Sequence, residues 1–157
     1  MTLPTTRVRH VPDPANPGWH SWDLVDDTRF NGQVLSPLLV RRETGSGGAG
    51  MIRLRMQPQV KHTNLIGGVH GGAILALADV ALFAAVRILL DGDSDGAVTL
   101  DMTSQFLGTG RIGLPLDATC EVLHETGRLV FLRGLVEQDG ELVAAFSATV
   151  RKASPPR

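Results

Sequence analysis

HTNLIGGVHGGAILALADVALFAAVRILLDGDSDG, residues 62–96, is the stretch on which the fold turns. Its middle, 70–90, carries Ile74, Leu75, Leu77, Val80, Leu82, Phe83, Val86, Leu89 and Leu90, so a helix there is apolar on nearly every face. Such a helix is enclosed by protein or by lipid. Asp79 and Arg87 interrupt the run, and a charge at a bilayer centre costs about 2.5–3.5 kcal/mol on insertion scales. The stretch is therefore read as a buried helix, ended by DGDSDG, and no membrane partner is expected.

Outward from the helix the pattern turns to β-structure. Upstream, PLLVRRE (37–43), a Gly-rich loop and MIRLRMQ (51–57) read as a hairpin, with Pro58 ending the second strand because it cannot donate to a ladder. Residues 29–35 read as a short helix ended by Pro37. Downstream, 97–107, 116–124, 128–137 and 141–151 read as four strands, with Thr126-Gly127 and Asp139-Gly140 as turns between the last three. Two strands, one helix and four strands make an α+β domain: one long central helix wrapped by an antiparallel sheet of about six strands. One sheet cannot cover a helix apolar on all sides, so a second copy of the chain is expected to cover the remainder. The division expected is an N-terminal arm, 1–29, rich in proline and holding both Trp19 and Trp22, and a domain at 30–157.

Bulk composition excludes several classes of function. Fifteen Lys and Arg against sixteen Asp and Glu leave no electrostatic case for nucleic acid or an anionic membrane. Cys120 is the single cysteine, so no internal disulfide is available. The first 22 residues contain no apolar h-region, and the cytoplasm is the expected location.

Three features converge on the helix start. Gly67-Gly68 and Gly71-Gly72 bracket Val69-His70, and a first helical turn offers free N–H groups to a developing oxyanion. Gly71 is the candidate donor, since no side chain blocks it; the bland reading is a flexible loop before a helix. Asp79 is the only acid in the helix before Asp91. It is either a structural acid bonded to its neighbours or an acid–base group of the kind burial creates. Thr99 could orient Asp79 or a water, although a strand threonine is ordinarily just a β-former. Gly71 and Asp79 lie about 12 Å apart along one helix at roughly 1.5 Å per residue, too far to flank one scissile bond. Two antiparallel helices from two subunits would bring them opposite each other.

HTNLIGGVHGGAILALAD resembles the signature of the hotdog acyl-CoA thioesterases of the phenylacetyl-CoA thioesterase (PaaI-like) type: Asn64, Gly67, His70-Gly71-Gly72, then Asp79 seven residues after the second glycine of the pair. The likeness is specific over 62–79 and diffuse over the rest of 50–152. It implies a hotdog fold and dimers that often pair into tetramers, with the sites at the dimer interface. It implies Asp79 as general base on water or as nucleophile, and the Gly71 amide as the oxyanion hole. Asn64 would position the water or the thioester oxygen, Thr99 would assist, His70 would orient the loop, and Gly72 would contact substrate. The substrate implied is an acyl-CoA, hydrolysed without metal or organic cofactor. Relatives often carry Pro after the third strand where this chain has Phe106-Leu107-Gly108-Thr109-Gly110-Arg111. Arg111 is the candidate phosphate contact in that loop, and the long arm is placed to shape the acyl pocket.

Other signals fail. The turn 91–96 imitates an EF-hand start, but Met102 stands where the bidentate Glu belongs. The glycines of 45–50 precede a strand, not a helix, against the dinucleotide fingerprint. The five histidines and Cys120 show no zinc spacing. Two alternatives stand beside a hydrolase: an enoyl-thioester hydratase or dehydratase pairing His70 with Asp79, and a non-catalytic acyl-CoA-binding module.

Overall fold

The computed structural model describes residues 7–90, 92 and 94–153; Asp91 and Asp93 of the acidic turn that imitates a calcium loop lie outside them. Among the described residues three two-residue strands come first: β1 (Val8–Arg9), β2 (His20–Ser21) and β3 (Asp23–Leu24). A one-turn π-helix, Asn31–Leu35, leads into the hairpin of β4 (Leu38–Thr44) and β5 (Gly50–Met56). A 3-10 turn, Val60–His62, precedes the helix α1 (Gly71–Leu89), and β6 (Val98–Phe106), β7 (Leu116–Glu125), β8 (Leu129–Gln138) and β9 (Glu141–Arg151) complete the chain. Each helix and strand expected from residue 29 onward is present, with ends within about two residues.

The main sheet has seven antiparallel strands in the order β2-β4-β5-β7-β8-β9-β6. The seventh is β2, a two-residue piece of the arm lying on β4 in the register His20↔Val40 and Ser21↔Leu39; two residues carry no periodicity from which to read a strand. Alternation in the long strands sends one face onto α1. Val40, Ile52, Leu54, Ala118, Cys120, Val130, Leu132, Val136 and Val150 are all fully or almost fully buried, with Leu77, Ala81, Leu82 and Ala85 of the helix packed among them. The opposite face carries charge. Arg53 of β5 bonds Glu43 of β4 at 2.8 Å and Glu137 of β8 at 2.5 Å, and Arg55 bonds Asp117 of β7 at 2.7 Å. Burial opposes ionisation of Glu43, but its hydrogen bonds to Arg53 and Arg41 outweigh that and hold the carboxyl below its usual range.

Turn chemistry sets the register where it was legible. Asp139 and Gly140, both at positive φ (51° and 80°), form the two-residue loop between β8 and β9, as an Asp-Gly hairpin turn requires. The arm is pinned at several points. β1 pairs with β3, the Asp23 carboxylate accepts the Leu38 N–H at 3.0 Å, and Trp22 is buried. The Trp19 ring has the Arg41 and Arg55 guanidinium carbons at 4.5 and 4.4 Å from its centre, a cation–π arrangement favoured by partial desolvation.

One glycine is imposed by packing. A Cβ on Gly134 would lie 2.0 Å from the Thr119 carbonyl oxygen and 2.3 Å from the Phe146 ring. Gly134→Ala should therefore destabilise the fold by about 1–3 kcal/mol or more through overpacking, read as a lower denaturation midpoint at unchanged slope. A midpoint equal to wild type would show that β8 and Phe146 can yield there.

Candidate active site

The polypeptide between β5 and α1 is held by His62, which the sequence pattern did not single out, and by Asn64, which it did. His62 is buried; its Nδ1 accepts the Gln59 N–H at 2.8 Å and its Nε2 donates to the Val34 carbonyl at 2.5 Å. The His62 carbonyl in turn accepts the His70 N–H at 2.7 Å. Asn64 closes the next turn. Its Oδ1 accepts the Ile66 and Gly68 N–H groups at 3.0 and 3.1 Å, leaving its side-chain NH2 outside these two bonds. The Val69 N–H donates to the Gly110 carbonyl at 2.8 Å, tying this loop to the one after β6.

The helix begins at Gly71 with His70 as its cap. The exposed His70 ring accepts the Gly72 N–H on Nδ1 at 2.8 Å, a capping role that satisfies one of the first-turn donors. The Gly72 amide is therefore already engaged within its own loop. Among the described residues the Gly71 N–H has no acceptor. A side chain there would also meet the Phe106 ring, which lies 3.2 Å from the position of a Cβ. A free amide at the positive end of a 19-residue helix is a donor suited to an anionic oxygen.

Two turns along, Asp79 is half-buried and meets β6: the Thr99 hydroxyl donates to its Oδ1 at 2.7 Å. The contact depends on a bulge. Thr99 pairs with Val150 and Asp101 with Thr149, leaving Leu100 as the extra residue. Val150 and Ala148 face the helix, so their partners Thr99 and Met102 do too. In a regular strand with Met102 inward, Leu100 would point at the helix and Thr99 away from it. The inserted residue turns the hydroxyl onto the carboxylate.

Asp79 and Thr99 are thus brought together, and Asn64, His70, Gly71 and Gly72 form a second group one loop away. Arg111 belongs to neither group. Its side chain is exposed, while its backbone N–H and carbonyl are clamped by the buried Gln138 side chain at 2.7 and 2.8 Å. Gln138 and His62, the loop clamps, gave no sequence signal, because a lone polar residue at a strand end or before a turn is ordinarily solvated. Beside Asp79 on the arm side lies a cavity of about 220 Å³. Among the described residues no cluster of three or more His, Cys, Asp or Glu is arranged to hold a metal.

A family model described as Thioesterase superfamily matches residues 66–145, about half of the chain. Among solved structures, the chain is similar to the PaaI protein of the E. coli phenylacetic acid degradation operon, at 24% identity and TM-score 0.60 over 73% of this chain and 80% of that one. It is also similar to zebrafish thioesterase superfamily member 2, at 24% and 0.61 over 73% and 81%. A variant of the phenylacetic acid degradation protein PaaI from Thermus thermophilus gives 25% and 0.58 over 72% and 92%. Identities this low carry the fold across, not the chemistry. No curated protein matches.

Cys120 is fully buried in β7, and burial pushes its thiol far above the ordinary range. A thiolate nucleophile is thereby disfavoured. The native protein should resist N-ethylmaleimide and take up one equivalent only after denaturation, by intact mass. Rapid labelling of the folded chain would contradict that placement.

Proposed function

Since the chain belongs to the thioesterase superfamily, we propose that it hydrolyses an acyl-CoA to a free carboxylate and CoA, with Asp79 as the general base. The observation that carries this reading is the Thr99–Asp79 hydrogen bond at 2.7 Å. It leaves Oδ2 of a half-buried carboxylate as the oxygen to accept a proton from water. That water attacks the thioester carbonyl, and the tetrahedral oxyanion is met by the N–H of the partner's Gly71. The C–S bond then breaks and the departing thiolate takes up the proton. Asn64, whose Oδ1 already shapes the loop, turns its NH2 to the water or the thioester oxygen. His70 holds the loop as the helix cap, Gly72 lies along the substrate, and Arg111 meets the CoA phosphates.

The second subunit is part of this reading. Asp79 and Gly71 of one α1 are too far apart to serve one carbonyl, and antiparallel pairing of two helices removes that distance. β6 is one of the two outer strands of the main sheet, and Leu100, Phe106 and neighbouring Leu107 are exposed along it. An apolar sheet edge of this kind is completed by another strand, and the unpaired Gly71 amide lies close to the same Phe106. These features support our reading of a homodimer; its pairing into a tetramer and a cytoplasmic location are part of the same proposal. A hydratase would need a histidine ring aimed across the acyl chain at the acid, whereas the His70 ring caps its own helix.

Asp79→Asn should retain fold and oligomer while thiol release falls about a hundredfold or more, the usual range for loss of a general base; turnover within a few-fold of wild type would remove Asp79 from that role. Thr99→Val should lower kcat more than it raises KM, because it frees the carboxylate without touching the CoA arm. Mixing Asp79→Asn subunits with Gly71→Val subunits should recover part of the lost turnover if the two groups act across the interface. No recovery in proven heterodimers would place both in one subunit.

A further inference from the structure

The cavity beside Asp79 is walled by the arm and not only by the domain. Trp22 and Leu24 of the arm and Val80 and Phe83 of α1 line it, together with Arg7 and Asn31. The wall is fixed in place. Leu24 is paired with Val8, the Trp22 N–H donates to the Leu38 carbonyl at 3.0 Å, and Asp23 is bonded to the Leu38 N–H. The His10 ring packs edge-on against Trp22 at 5.5 Å between centres, and burial, with His20 and Arg87 nearby, holds its pKa below the ordinary value. A neutral ring behind the tryptophan keeps the wall apolar at neutral pH.

At about 220 Å³ the cavity is smaller than the roughly 300–1,000 Å³ of sites that enclose drug-sized ligands. Its aromatic and aliphatic walls suit an apolar group, and its size excludes a long chain. Charge restricts the group further. Asp23, Asp79 and Asp95 line the cavity, and Arg7 is the cation among the lining residues. Asp95 is paired with Arg87 at 3.8 Å, which still leaves Asp23 and Asp79 against Arg7. An acyl group ending in a carboxylate therefore meets net repulsion. We infer that residues 7–24 form the acyl-selecting wall of the site, admitting compact, uncharged acyl groups and stopping long alkyl chains at Trp22 and Leu24. This rests on the thioesterase reading above and adds the substrate class and the residues that set it.

The test is a series of acyl-CoAs from acetyl to palmitoyl, with succinyl-CoA included, assayed by thiol release on the full-length chain. Wild type should prefer the shorter neutral members. Leu24→Ala should raise kcat/KM for longer chains relative to short ones by about tenfold or more, as one or two methylenes in an apolar pocket are worth. Leu24→Trp should depress even the preferred substrate. Phe83→Ala opens the same cavity from the helix side and repeats the test if Leu24→Ala folds poorly. Val25→Ala, on the exposed side of the arm, should leave the profile as it was. An unchanged profile in folded, active Leu24→Ala and Phe83→Ala overturns the arm as selector while leaving the hydrolase intact. Wild type that releases no thiol from any member overturns the hydrolase reading, and the selector with it.

Discussion

A carboxylate set in the middle of an apolar helix constrains everything around it. Asp79 cannot face the interior of the sheet, where Leu77, Ala81 and Leu82 pack, and it cannot be left without a hydrogen-bond partner. The Thr99 hydroxyl meets that requirement, and three features of the chain serve the contact. β6 must lie beside β9 as the last strand of the sheet, Leu100 must be bulged out, and the helix must run far enough to carry Asp79 two turns beyond its start. The residue that carries the proposed chemistry is thus one whose partial burial depends on all three.

The helix start is built by the opposite logic. There the chain satisfies nearly every donor within itself: His62 receives Gln59, Asn64 receives Ile66 and Gly68, and His70 receives Gly72. Among the described residues the N–H groups of Leu65 and Gly71 have no acceptor in this loop, and Gly71 is the one at the helix start. A loop that left all its amides open would be soft and solvated. One that closes most of its amides, as this one does on both sides of Gly71, holds that donor in a fixed direction, which is what stabilisation of a developing charge requires.

Much of this was legible in the residues, for identifiable reasons. The helix could be read because 70–90 is long and apolar all round, and the last hairpin because Asp139-Gly140 accepts positive φ at both positions. Asp79 was conspicuous as a lone acid. Thr99 was only one hydroxyl among several in its strand, since the bulge at Leu100 that aims it leaves no trace in an alternating pattern. The arm was the least legible part. Its three strands are two residues long, below any period, and what fixes them is tertiary: the Asp23 carboxylate on the Leu38 amide, and Trp19 held by guanidinium groups from β4 and β5. His62 and Gln138 were missed for the same reason, as each acts through backbone groups distant in sequence.

Both tryptophans, Trp19 and Trp22, belong to the arm, and the chain contains no tyrosine. Near-ultraviolet emission from this molecule therefore originates almost entirely in the segment that walls the cavity. One indole is stacked on cations at the sheet surface and the other is enclosed next to an imidazole. Detachment of that segment would register as a red-shifted spectrum while the helix and sheet still gave an unaltered circular dichroism signal. The protein thus carries its own optical gauge of whether the arm is seated on the cavity.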